Sequence, residues 1–457
     1  MHAHTGSRRP GGHVWLAMAL IVFLAGCAGS PPDPSGSSST LNWRQFQGTT
    51  LRILLGKSPW QAAMMGYFPE FEERTGIRLV VETYTQDQLW GKLETDLQQV
   101  GRVDVFAVIP NLDGIYYLSR GYVQPINLFL KDPRLTAADY QWEDFLPRFR
   151  AAMEIKGDIL GPPVMTEHLA LLYRKDLFKQ YQMAVPRTLD ELEMAAKLLH
   201  RKPMGHQGAP GVGIVSRGNG AATTALYASL LYCLGGTWMD GHGQPTMDGP
   251  HSLAALGWIN RLLGQYAPPN VSTFGWQEAS ELFLDGRAAM YIEGSSIYPL
   301  IEESSKSRVS EQVGYAPFPA GPAAAGGTVA VRGLAIAKRS LHPEAAWLFL
   351  QWATGREMVR KALMHGVLVA RESTWQDRVA RSEVPPELAE SLQQAGKTGV
   401  TDWLPPMIAV TSAREAVGKA ITSAVRGEDI PAAANAAAKQ LREILVRTET
   451  GKPTPAR

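Results

Sequence analysis

Trp60, Trp238, Trp276 and Trp403 each stand beside glycine, proline or an acid in stretches that read as loops: "GKSPW", "LGGTWMD", "FGWQEA" and "TDWLPP". An indole face can cover the apolar CH side of a polyhydroxylated molecule while fixed polar groups take its hydroxyls. The chain holds twelve tryptophans, so such a pairing is available several times over. Each ring also has a plainer role in core packing. Reaction chemistry is harder to find. There is no Walker-type phosphate loop, no HExxH and no GxSxG elbow. "GVGIVSRGNG" lacks dinucleotide spacing, and "DGHGQPTMD" lacks calcium-loop spacing and reads as a turn. The histidines are scattered, so no metal site or cofactor is expected. Paired carboxylates for glycoside cleavage carry no weight, because a chain with 43 acids always supplies a pair.

The elements that would hold these residues follow from periodicity. Leu51 to Leu55 is an apolar run ending at Gly56; a helical pattern through Phe68 and Phe71 stops at Gly76. Ile77 to Tyr84 alternates as a strand, Leu89 to Val100 is helical, and Val103 to Val108 reads as a buried strand. This βαβαβ rhythm predicts an α/β fold with a mostly parallel sheet covered on both faces. Ligands of such sheets sit beyond the carboxyl ends of the strands. That rule places Gly56 to Trp60 and Ile109 to Asp113 on a site rim, making Trp60, Asn111 and Asp113 candidates; a core role for Trp60 and helix N-capping for the other two are equally open. Further on, Thr188 and Glu191 have capping-box spacing, and Pro343 opens a helix with apolar residues at helical spacing. Cys233, among Leu231, Tyr232 and Leu234, reads as a buried, inert thiol.

The N-terminus reads as an address. Arg8 and Arg9 precede the apolar run Val14 to Ala25, too short for a membrane span, which ends in Leu24-Ala25-Gly26-Cys27. The pattern resembles a lipoprotein signal, with Cys27 the lipidated first residue of an exported protein. "AGSPPDPSGSSST" follows and reads as a tether. Removing residues 1–26 takes away two arginines and no acid, leaving basic and acidic residues equal in number. A neutral body argues against a nucleic-acid partner.

An ordered set of motifs runs through most of the body: "VDVFAV", "YRKDLF", "FLDGRAAMYIEGS", "VGYAPFPAGP" and "VRGLAIAKRS". This set resembles the extracellular solute-binding proteins of ATP-driven sugar importers, the maltose-binding-like family, and within it the polyol- and monosaccharide-binding members. The resemblance implies a two-lobed, type II periplasmic-binding-protein fold that closes on its ligand like a flytrap. Residues 1–27 would be the signal peptide and 28–48 the tether. Residues 49–160 with 318–334 would form the N-terminal lobe, and 163–314 with 340–457 the C-terminal lobe. Chain crossings are expected at "ILGPPVMTEHLALLYRKDLF", Val313 to Phe318 and Leu334 to Ala337.

The resemblance also implies cleft roles. Glu167 matches an acid just past the first crossing, though an exposed hinge acid fits too. Arg217 and Asn219 lie in a loop that supplies polar contacts. Trp238 with Asp240 matches an aromatic and an acid, with packing and a turn as alternatives. Trp276 matches the loop before a helix, Glu293 a polar residue beside the cleft, and Trp403 a late cleft loop. Arg332 departs from the family's usual aromatic; its planar fork suits a carboxylate, a phosphate or several hydroxyls, or an acid across the hinge. The implied protein is a monomer without enzymatic activity, anchored outside the cytoplasm through its lipid, that hands a sugar or polyol to an ABC permease. The same fold binding an anionic solute, an exported carbohydrate-active enzyme, and a tethered scaffold are the other readings.

Overall fold

The computed structural model describes residues 41–204, 208–323 and 326–449. The proposed signal, Cys27 and the tether up to residue 40 lie outside them. The body begins earlier than the sequence indicates. Residues 43–48 are turns, and Leu41, Trp43 and Phe46 pack on the core, with Arg74 over the Trp43 ring at 3.9 Å.

Eleven strands are described: β1 (Thr50–Gly56), β2 (Arg78–Tyr84), β3 (Val105–Val108), β4 (Val123–Gln124), β5 (Glu154–Ile155), β6 (Asp158–Ile159), β7 (Pro163–Arg174), β8 (Val212–Val215), β9 (Ala288–Gly294), β10 (Val313–Pro317) and β11 (Val329–Ala337). Apart from a small β5–β6 hairpin they form one sheet in the order β2-β1-β3-β11-β7-β9-β8, with β10 on β7 and β4 on β11. The first half is the expected βαβαβ unit. β1 pairs parallel with β2 and β3, and helices Phe68–Thr75 and Gln86–Asp96 make the crossovers. Gly76 ends the first of these in the left-handed conformation (φ 71), which glycine adopts without a Cβ penalty. In the second half β8 and β9 are parallel. Helix Leu189–Leu199 starts with the anticipated capping box. Glu191 N–H donates to Thr188 Oγ1 (3.2 Å), and Thr188 N–H donates to the Glu191 carboxylate (3.3 Å).

β7 joins the halves. Its residues 163–168 pair with β11 and its residues 169–173 with β9, so one strand belongs to both. β11 returns the chain, pairing with the start of β7 and then antiparallel with β3. Gly161, just before β7, lies so near β11 that an added Cβ would stand 1.8 Å from the Leu334 carbonyl oxygen. A third link passes through Val400, whose carbonyl accepts from Val329 N–H (2.8 Å) and whose N–H donates to Gly327 (3.1 Å).

Two expected boundaries change. β10 pairs only with the second-half end of β7, and Ala320 and Thr328 stay with that half through Leu189 N–H to Ala320 O (3.0 Å) and Thr328 N–H to Ser229 Oγ (3.0 Å). The crossings are therefore β7, β11 and Val400. The chain after Ser340 is also divided. Helix Pro343–Ala353 packs on the first half, with Phe349 edge-on to Phe68 (5.4 Å) and Phe71 (5.3 Å), and helix Arg356–Met364 adds Lys361 to Glu70 (2.7 Å). Helices Val410–Val425 and Ile430–Glu449 join the second half through Asn260 Nδ2 to Ala424 O (2.8 Å) and Arg442 to Asp248 (2.8 Å). The helical period gave the elements but not their partners, because both halves offer an apolar face.

Candidate functional site

Where the three links cross, the structure holds a cleft of ≈ 570 Å³. Its floor is β7 from Met165 to Leu169, the start of β11 and the end of β9. The first-half wall carries Lys57, Ser58, Gln86, Ile109 and Leu112, which follow β1, β2 and β3. The second-half wall carries Ser216 and Arg217 after β8, Trp276, Trp403 and Arg414. The cleft thus lies beyond strand carboxyl ends, as α/β sheets place their ligands.

Two carboxylates are fixed in it. Glu293, only 4% exposed at the end of β9, receives Arg217 through Nε (2.7 Å) and a terminal nitrogen (2.5 Å). It also accepts from Tyr291 Oη (3.0 Å) and Gly294 N–H (2.7 Å). Burial, together with the Glu293 charge, holds the Tyr291 phenol well above its usual range, so Tyr291 remains a donor. Gly218 lets the Arg217 loop pass, since an added Cβ would stand 2.0 Å from Val271 O. Glu167 projects from β7 and accepts from the Ser296 hydroxyl. Beside it, His168 is buried and its ring is pulled down to about 3 by burial, so it is neutral at ordinary pH. His168 Nε2 meets Ser391 Oγ (2.7 Å), and Nδ1 has no partner. Trp276 opens helix Trp276–Leu284 and lines the cleft while 45% exposed. Trp403 lines the cleft with an indole N–H that is buried and unpartnered.

Of the residues singled out from sequence, Glu167, Arg217, Trp276, Glu293, Arg332 and Trp403 line this cleft. The others lie elsewhere. Trp60 is a core residue, 3% exposed against Phe68, and lines only a separate ≈ 30 Å³ cavity. The turn after β3 folds Asp113 inward, where it accepts from Ile109 N–H (2.9 Å) and Trp90 Nε1 (3.2 Å). Burial pushes its carboxyl up to about 7 despite those bonds and the Arg332 charge. Asn111 does not line the cleft, and its Oδ1 is buried without a partner. Asn219 is exposed outside the cleft. Trp238 packs on Tyr227 and donates to Asp402 O (2.7 Å), while Asp240 closes a turn by accepting from His242 and Gln244 N–H (2.8 Å each).

Lys57 and Ser58 fall within the Gly56 to Trp60 rim expected from sequence without being singled out, and Gln86, Thr166, His168, Ser216, Thr223, Ser296, Thr328 and Arg414 were missed. The strand-end rule covers Lys57, Ser58 and Gln86. Arg414 sits inside a helix whose local sequence says nothing of the cleft.

The model of the bacterial extracellular solute-binding protein family matches residues 57–360. A mannitol-binding protein of Pseudomonas aeruginosa is 27% identical over 318 residues, covering 69% of this chain and 68% of the relative. An erythritol/L-threitol-binding protein of Mycolicibacterium smegmatis is 26% identical over 384 residues, 77% of each chain. A solved ABC transporter solute-binding protein of Agrobacterium radiobacter K84, in complex with ribitol, superposes with a TM-score of 0.73 at 24% identity, covering 87% of this chain and 99% of the other. The fold is the two-lobed α/β one that the motifs imply, and the chain belongs to the family of bacterial extracellular solute-binding proteins.

Proposed function

We propose that this protein is a receptor that captures a sugar or polyol in the cleft and delivers it to an ABC permease. The observation that carries the reading is the cleft itself, lined by a half-exposed tryptophan and two hydrogen-bonded carboxylates and floored by strands shared by both halves. Its ≈ 570 Å³ lies within the range of small-molecule sites, about 300–1,000 Å³. The names of similar proteins, which include mannitol, erythritol and ribitol, agree with a short polyhydroxylated ligand. In this reading Trp276 stacks on the carbon chain, and Glu167 and Glu293 accept from hydroxyls. Lobe closure about β7, β11 and Val400 excludes water, and the ligand favours closure by the contacts it makes only there. The protein works as a monomer, catalyses no reaction, and is held outside the cytoplasm by lipid on Cys27.

A thermal-shift panel of sugars and polyols on the full-length protein tests this, since a ligand that binds only the folded form raises the melting temperature. The expected result is a rise with at least one polyol or monosaccharide that Glu167→Gln and Trp276→Ala both diminish. An undiminished rise in the double variant would remove the cleft assignment.

A further inference from the structure

The cleft's charges do not balance. Lys57, Arg217, Arg332 and Arg414 line it against Glu167 and Glu293, and the buried His168 ring adds no charge. The acids are already engaged: Glu293 holds Arg217 in a two-point ion pair, and Glu167 takes the Ser296 hydroxyl. Arg414 spends its Nε on Ala221 O (2.7 Å), and among the described residues its terminal nitrogens have no hydrogen-bond partner and no acid. Among the described residues the Lys57 ammonium and the Arg332 guanidinium make no hydrogen bond and no ion pair. The acid whose charge Arg332 feels, Asp113, lies outside the cleft with its oxygens committed to Ile109 and Trp90. Trp403 adds a buried donor with no acceptor.

The surplus is therefore one of donors and of positive charge, and a carboxylate or phosphate is the acceptor-only group that meets it. A neutral polyol would leave three cations facing the cleft without an anionic partner. We propose that the ligand is an anionic polyhydroxy compound, a sugar acid or a phosphorylated polyol, whose charged end is read by Arg332 with Lys57 and Arg414. This rests on the cleft being the ligand site. Lys57 comes from the first half, Arg332 from a crossing strand and Arg414 from the second half, so one anion engages both halves and adds to the preference for closure.

Isothermal titration of the full-length protein with ribitol, D-ribonate and ribitol 5-phosphate tests it, since the three share a five-carbon skeleton. The expected result is that one acid binds at least tenfold tighter than ribitol, and which of them does so separates carboxylate from phosphate. Arg332→Gln should narrow that ratio about 10- to 100-fold, the worth of a charge-assisted contact, and raising the salt should narrow it in wild type. Ribitol binding as tightly as both acids would overturn the anionic assignment while leaving the polyol receptor standing. Heat from none of the three, with mannitol and monosaccharides also silent, would overturn both.

Discussion

Replacing Arg217 by Met removes two of the four hydrogen bonds that the Glu293 carboxylate accepts, leaving those from Tyr291 Oη and Gly294 N–H. Breaking a buried ion pair by deleting one partner costs about 3–5 kcal/mol. The Arg217 side chain is 34% exposed, so solvent screens part of the pair, and half the acceptor bonds survive. The cost should fall to about 2 kcal/mol. Arg217→Met with Glu293→Gln together should cost less than Arg217→Met alone, since the uncompensated charge is gone. Urea unfolding of the wild type, both single variants and the double variant, followed by circular dichroism at pH 7, gives the coupling directly. A double variant whose loss equals the sum of the single losses within about 0.5 kcal/mol would refute the claim that the pair is a coupled wall of the cleft.

Trp276→Ala should weaken polyol binding roughly tenfold, about the worth of one aromatic face, with unfolding unchanged because the ring is half-bare; calorimetry and a melt read the two separately. Trp60→Ala should do the reverse and lower stability by about 3–5 kcal/mol in urea, since the ring is buried against Phe68. His168 gives a pH signature. Its ring is held near 3 when folded against a usual 6.5, so below pH 6.5 the unfolded chain takes up a proton that the folded one refuses. Stability should fall by up to about 1.4 kcal/mol per pH unit from 6.5 down toward 3, and His168→Gln should flatten that slope in urea titrations at pH 7, 6 and 5.

The first half of the fold was legible because β1 and β3 are mostly buried and read as apolar runs, β2 alternates along the partly exposed edge of the sheet, and Gly76 marks the end of the first crossover helix. Long-range placement was not. Whether Phe349 packs on Phe68 or on the other half depends on three crossings that no local period reports. In the site, the strand-end rule reached Lys57 and Ser58 after β1 and Ile109 and Leu112 after β3, whereas Glu167, Arg217, Glu293 and Arg332 were singled out by the family resemblance rather than by any local period. Within the same two stretches Trp60 and Asp113 were misplaced, because the helical turns that follow the first loop residues carry these two side chains into the interior. Trp238 and Asp240 shared the local look of a binding loop, yet the indole N–H is spent on Asp402 and the acid on its own turn. Arg414 was invisible because a helix brings it to the cleft from a point remote in sequence.

The central claim is that a polyhydroxylated solute binds between the halves, against Trp276 and Trp403. Tryptophan fluorescence of the full-length protein, titrated with mannitol, ribitol, D-ribonate and ribitol 5-phosphate, tests it most directly. The expected result is a saturable change with at least one of them, lost when Trp276 and Trp403 are both replaced by Phe. A saturable change that survives both replacements would place the ligand elsewhere and contradict it.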